Sequence, residues 1–310
     1  MNRIKGVWLC MFLAATMWAQ NPGMPPGGFP PQMPPGSAVS AQTPSTTAER
    51  LVVEGDALRN AGDFDSAIEH YTKALTMEPD STRILLRRAS VYLAKRDSDS
   101  ALADLARAVE IDPKGPDAFA ALSMHGQISL QKGDFTAAIK DFSSAIEIRP
   151  KDDPSYYLRA KAKQSEGDLK GALADFDVAV SLTPNSAAYR LNRGIAREEA
   201  KNFDGALEDL DVAVRFTIRN ALANFHRAEV QCARGKLDEA IADYDRAIQY
   251  NPQYALAYAR RGVAKFLQRK DTEAQQDCDR AVELDPALKS QMPKWIKEAK
   301  GKRDSTPGSR

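Results

Sequence analysis

The residues able to do chemistry are few: His70, His125 and His226, with Cys10, Cys232 and Cys278. A cysteine nucleophile needs a histidine base beside it and a third group that orients the base. Neither Cys232 nor Cys278 has such a partner, and a buried small hydrophobe is the reading that suits Cys278. His226 stands beside Arg227 with no second ligand at metal spacing, so no metal site is expected. The chain has no phosphate-binding glycine loop and no serine elbow. So few cysteines exclude a disulfide framework. The sequence argues against an enzyme, and no cofactor is expected.

What does recur is charge at a fixed interval. Sixteen residues separate Arg88 from Asp104, Arg159 from Asp175, Arg193 from Asp209, Arg227 from Asp243 and Arg261 from Asp277. Where arginine is missing the interval persists, as Glu54 with His70 and His125 with Asp141. Solvated surface pairs are worth about 0–1 kcal/mol each and have no reason to keep one spacing. The regularity predicts an ion pair between two helices, repeated along the chain. Two of the three histidines are used in it.

The elements that must hold these pairs are clearest between Ala221 and Tyr254. A first helix from about Leu222 to Ala233 stops at Gly235, which can take the left-handed conformation. A second, from about Asp238 to Tyr250, is stopped by Asn251-Pro252. Ala228, Ala240 and Ala247 are small where the helices touch, and Tyr244 supplies bulk between them. Prolines at 79, 113, 150, 184, 252 and 286 end similar hairpins, most of them about 34 residues apart.

The pattern of small, aromatic, small and proline reads Gly55, Ala67, Tyr71, Ala74, Pro79 in the first unit. It reads Gly126, Ala138, Phe142, Ala145, Pro150 in the third and Gly262, Ala274, Cys278, Ala281, Pro286 in the last. In these residues the chain resembles the tetratricopeptide-repeat (TPR) family. Seven units start near Ala48, Thr82, Phe119, Asp153, Ala187, Ala221 and Ala255. The resemblance implies an all-α fold, a right-handed α-solenoid of helix-turn-helix repeats over residues 48–300, with a C-terminal capping helix.

Departures from the period carry expectations of their own. Lys114 to Ala118 should form a longer turn, and Asp153-Pro154 should cap and open the fourth unit. Ile218 replaces the fifth proline, with the turn expected to survive. Arg96, Lys201 and Arg269 replace the inter-helix glycine, so those turns should be strained or rearranged. Thr46 to Glu49 has capping-box spacing. Within residues 287–300, Met292, Trp295, Ile296 and Ala299 form the apolar face of a cap from about Ser290 to Lys300, followed by a disordered tail at 301–310.

The resemblance also implies that first helices line an inner groove where a protein or peptide binds. Asn224, Arg227, Ala228 and Gln231 should pack inward, leaving Leu222, Phe225, Glu229 and Cys232 toward the groove. Matching stripes give Tyr157 and Lys161, then Leu191, Ile195 and Glu198, then Leu256, Val263, Phe266 and Leu267. Earlier units offer Glu49, Val52, Asp56, Arg83, Ser123 and Gln127, so the groove reads as polar early and apolar late. The partner-binding set is therefore Tyr157, Lys161, Leu191, Ile195, Glu198, Leu222, Phe225, Glu229, Val263 and Phe266. The two glutamates favour a partner with a basic-apolar segment. The family's Lys/Asn/Arg arrangement for a C-terminal carboxylate is missing, as is the His-Pro-Asp triplet of J-type co-chaperones.

Composition bounds the rest. The net charge is +1, or −1 without Arg3 and Lys5, with interspersed signs, which excludes the basic footprint of a nucleic-acid binder. Residues 1–19 read as a signal peptide, basic and then apolar from Val7 to Trp18, too short for a membrane span. Residues 20–47 are Pro-, Gly- and Met-rich without charge, a disordered linker. The chain is expected to be exported to a periplasmic, extracellular or secretory-lumen space as a monomeric scaffold. The other reading is an accessory subunit of an envelope or cell-wall assembly binding glycan or a lipid-like ligand.

Overall fold

The computed structural model describes residues 46–305. The expected signal peptide, the linker up to residue 45 and the tail from residue 306 lie outside them. Fourteen helices pair into seven hairpins. These are α1 (Thr47–Ala61) with α2 (Phe64–Met77), α3 (Thr82–Ala94) with α4 (Ser98–Ile111), and α5 (Ala118–Lys132) with α6 (Phe135–Ile148). They continue with α7 (Asp153–Glu166) and α8 (Leu169–Leu182), α9 (Ala187–Glu199) and α10 (Phe203–Phe216), and α11 (Ala221–Ala233) and α12 (Leu237–Tyr250). The last hairpin is α13 (Ala255–Leu267) and α14 (Asp271–Leu284), followed by a 3₁₀ turn, Pro286–Ser290, and α15 (Met292–Ser305). The fold is an all-α solenoid, with no strand among the described residues.

Local sequence explains where the helices start. Thr46 and Glu49 form the reciprocal capping box. Asp63, Asp97, Asp134, Asp168 and Asn202 each cap a second helix by accepting the backbone N–H three residues on. The fourth unit corrects one expectation: the capping side chain is Asp152, which accepts from Ser155, while Asp153 and Pro154 fill the first turn. The longer connection runs from Asp112 to Asp117, between α4 and α5.

All seven inter-helix turns pass through a left-handed residue. Gly62, Gly133, Gly167 and Gly235 sit at φ 75–97°, and Arg96, Lys201 and Arg269 hold the same turn at φ 60–64°. The turn geometry is thus kept and the cost is local strain, because a Cβ crowds the following carbonyl in this region. Ile218 takes the place of proline, and the connection survives with Arg219 at φ 61°, a left-handed residue that the other described connections between hairpins do not have.

Close approach of the paired helices sets the core. Ala67, Ala101, Ala138, Ala172, Ala206, Ala240 and Ala274 recur at one place in the second helix, all buried against the first. Gly55 shows the tolerance: a Cβ there would meet the Tyr71 ring at 2.8 Å. At Gly194 it would meet Leu210 at 2.9 Å.

The sixteen-residue pairs are formed. Arg193 donates to both oxygens of Asp209 at 2.7 and 2.6 Å, and Arg227 does so to Asp243 at 2.7 Å twice. Arg88, Arg159 and Arg261 make the same fork to Asp104, Asp175 and Asp277. His125 meets Asp141 at 2.6 Å and His70 meets Glu54 at 3.5 Å. The sequence reading missed a second half. The remaining guanidinium nitrogen reaches back sixteen residues to the preceding unit, onto Thr72, Ser143, Asp177, Asp211 or Asp245, at 2.6–3.0 Å. Each arginine therefore ties its own hairpin to the previous one.

Helices α5 and α7, α9 and α11, and α11 and α13 touch one another, whereas second helices approach each other less closely. First helices therefore form the inner side of the curve. The cap differs in length from the expected one. Helix α15 runs on to Ser305, five residues past Lys300, and packs on α13.

Two substitutions test this account of turns and core. The Lys201 side chain makes no ion pair or hydrogen bond among the described residues, while its N–H donates to Glu198 O at 2.9 Å. Lys201→Gly should raise stability by about 0.5–1 kcal/mol, the left-handed penalty less glycine's larger unfolded-state entropy. A lower urea midpoint would contradict the strain. Ala240→Leu should cost about 1–3 kcal/mol by overpacking, and a neutral result would contradict the close helix approach.

Candidate functional site

The inner side is built from one stripe of each first helix, and side chains of adjacent units meet along it. At the N-terminal end Asp56 accepts from the Tyr71 hydroxyl at 2.6 Å and pairs with Arg87 of the next unit. Burial and that hydrogen bond to Asp56 push the Tyr71 phenol up to about 12.

The middle of the face is aromatic with one cation. Tyr157 packs on Phe176 and Tyr189, with ring centroids 6.0 and 4.7 Å away. The amide of Asn192 donates to the Tyr157 hydroxyl at 3.0 Å. Burial pushes that phenol up to about 12. Lys161 lies one turn along α7, its ammonium 5.7 Å from the Tyr157 ring centroid. Among the described residues no carboxylate stands within ion-pairing distance of it. Burial lowers its pKa.

Toward the C-terminal end the face is a charged network, which corrects the expectation of an apolar late groove. Glu229 accepts from the Tyr244 hydroxyl, and Arg260 Nε stands 3.4 Å from its carboxylate. Burial raises the pKa of this carboxyl, with Arg260 and the hydrogen bond opposing. Glu198 meets His226 Nδ1 at 2.9 Å. Arg260 in turn lies 4.4 Å from the Trp295 ring centroid, so the cap closes on the network.

The expected binding residues divide accordingly. Tyr157, Lys161, Ile195, Glu198, Glu229 and Val263 are half-buried, and Leu222 is 37% exposed. Phe225 and Leu191 are corrections: at 4% and 8% exposure both belong to the core. Phe225 is enclosed by Tyr244 and by Tyr254 of the connection to the next unit, 5.9 and 5.0 Å away. Leu191 packs on Leu210, Ala223 and Val230. Phe266 is covered by Arg303 and Lys300 of α15, at 4.3 and 5.9 Å from its ring. None of the three can anchor a partner without displacing its neighbours.

Sequence reading missed Arg87, Asn192 and Arg260, which link adjacent units across the face. Their signal was present. Each stands immediately before the residue that begins a sixteen-residue pair.

Comparisons with known proteins agree with this architecture. Models described as tetratricopeptide repeat match residues 52–116, 157–221 and 119–152, and one described as TPR repeat matches 229–268. Small glutamine-rich tetratricopeptide repeat-containing protein 2 of Mycosarcoma maydis is 37% identical over 75 residues, covering 24% of this chain and 21% of that protein. Hsp70-Hsp90 organizing protein 2 of Arabidopsis thaliana is 30% identical over 66 residues, 21% of this chain and 12% of its own length. The chain spans between 10% and 38% of the curated relatives it matches. A tetratricopeptide repeat protein from Parabacteroides merdae shares the fold with TM-score 0.57 at 20% identity, over 81% of this chain and 98% of that one. The C-terminal part of a TPR repeat-containing protein from Cytophaga hutchinsonii has TM-score 0.61 at 17% identity, over 76% and 95%. By its repeats and by its fold, the chain belongs to the tetratricopeptide-repeat proteins.

Proposed function

We propose that this chain is a non-catalytic scaffold that binds a peptide segment of a protein partner along its inner face, with an acidic group of that segment at Lys161. The observation that carries the reading is the half-buried Lys161 ammonium without a counter-ion. A cation in that setting is costly, and a ligand carboxylate would supply the missing charge beside the Tyr157 ring, which Asn192 holds by its hydroxyl. Glu198 and Glu229, which pointed to a basic partner segment, already face His226 and Arg260. They no longer favour lysine or arginine in the ligand.

The partner class agrees with relatives named as Hsp70-Hsp90 organizing proteins and co-chaperones, and with YrrB, titled a TPR protein with an unusual peptide-binding site. YrrB is 21% identical and resembles this chain in fold, with TM-score 0.54 over 60% of it and 95% of YrrB. A cysteine-based reaction is disfavoured by burial of Cys278, which pushes its thiol up to about 11 and away from the reactive thiolate. The reading includes export, on the residue order at 1–19 alone; N-terminal sequencing of the mature protein tests it.

The binding site is tested by titrating the full chain with labelled acidic peptides and with their amidated, Asn/Gln-substituted counterparts. The acidic peptides should bind more tightly, and Lys161→Ala should weaken them by at least about tenfold, near 1.4 kcal/mol, with an unchanged helical circular dichroism spectrum. Equal binding by Lys161→Ala and the parent chain would overturn the assignment.

A further inference from the structure

The connection between α10 and α11 breaks the local rules that its counterparts obey. The fourth and sixth units turn through Pro184-Asn185 and Pro252-Gln253, whereas the fifth uses Ile218-Arg219. Proline presets the backbone for this position, and isoleucine does not. Ile218 is 89% exposed and Phe216, two residues earlier, is 56% exposed. Arg219 sits at φ 61°, in a region that suits glycine or asparagine. A turn set against local preference, with two large apolar side chains exposed on it, is the kind of departure that accompanies functional sites.

The turn is nevertheless well anchored. Thr217 N–H donates to Ala213 O at 3.1 Å, and Asn220 caps α11 by accepting from Ala223 N–H at 2.9 Å. The two apolar side chains are thus presented on a fixed frame. Leu182 and Tyr250 occupy the same helix-end place in the flanking units and are each 37% exposed. An apolar line therefore crosses three units at the ends of α8, α10 and α12, apart from the first-helix stripe that forms the inner face.

Charge selects the occupant. Arg215 and Arg219, both exposed, bracket Phe216 and Ile218, and neither guanidinium has an ion pair or hydrogen bond among the described residues. The five bridging arginines, by contrast, are engaged on both sides. No Asp or Glu occurs in residues 1–45 or 306–310, so those residues offer no side-chain carboxylate to flank an apolar residue. A second copy docked two-fold on this patch would set arginines against arginines. Two cations with two apolar tips fall short of stable membrane anchoring, for which even one acyl chain is marginal.

We propose that the α10–α11 turn is a second docking surface, taking a protein segment in which a Leu or Phe is flanked by Asp or Glu. Phe216 and Ile218 receive the apolar residue, and Arg215 and Arg219 pair with the flanking carboxylates. The scaffold then holds two partners, or two segments of one, on separate faces.

The test uses the full chain and two labelled short peptides, one with Leu flanked by Asp and Glu and one with the acids replaced by Lys and Arg. Ile218→Pro with Arg219→Asn installs the Pro-Asn of the fourth-unit turn and so preserves folding. Arg215→Gln with Arg219→Gln keeps the apolar tips. Each double variant should weaken the acidic peptide by at least about tenfold, the scale of a lost hot spot, and the basic peptide should not bind the turn. Lys161→Ala should leave a component of acidic-peptide binding that the turn variants remove. If all binding is lost with Lys161→Ala and none with the turn variants, this inference fails and the inner-face reading stands. Binding of phosphatidylcholine–phosphatidylserine vesicles, but not of the peptide, through these residues would overturn it in favour of a membrane. Loss of self-association in the variants on sedimentation, without peptide binding, would overturn it in favour of a second copy.

Discussion

A buried aspartate gripped by an arginine that also reaches back to the preceding hairpin is the interaction on which this solenoid depends. Within a unit the fork fixes the two helices against each other; between units the third nitrogen fixes their rotation. A solenoid has no central core, so its stability rests on such nearest-neighbour terms. Burial makes the geometry demanding. Asp209 is fully buried and is met by Arg190 and Arg197 as well as Arg193, while among the described residues Asp104 has Arg88 alone. A buried charge without its partner is strongly destabilising. The pairing therefore acts as a constraint on register more than as a source of net stability.

The inner face inherits its shape from that constraint. With adjacent hairpins locked, first helices meet across the face in three such pairs, Asp56 with Arg87, Tyr157 with Asn192 and Glu229 with Arg260. Most polar groups on the face are thereby occupied, which keeps it rigid. Lys161 has no carboxylate beside it among the described residues, and the proposed ligand would supply that charge to a surface already ordered by its neighbours.

Much of this was legible before the structure because the period repeats every error-free feature. The Arg193–Asp209 spacing, the small residues at Ala138 and Ala240, and the left-handed place held by Gly235 all recur in step. Other features were hidden for physical reasons. The backward contact of the arginine varies in type, from Thr72 and Ser143 to Asp177, so no single residue pattern announces it. Helical spacing placed Phe225 on the groove side but could not show that Tyr254, from outside the helix, closes over it. Phe266 was misjudged because α15 is longer than its apolar stripe, and Arg303 lies beyond that stripe.

The most direct measurement is urea unfolding of Arg88→Ala beside Arg88→Ala with Asp104→Ala, followed by hydrogen exchange in α3 and α4. Arg88→Ala leaves Asp104 buried with no other cation in contact, so the loss should be on the scale of about 3 kcal/mol, greatest in the first three units. Removing Asp104 as well should recover part of that stability, because the stranded charge is gone. An unchanged midpoint for Arg88→Ala, or a deeper loss in the double variant, would contradict the claim that these pairs hold the units in register.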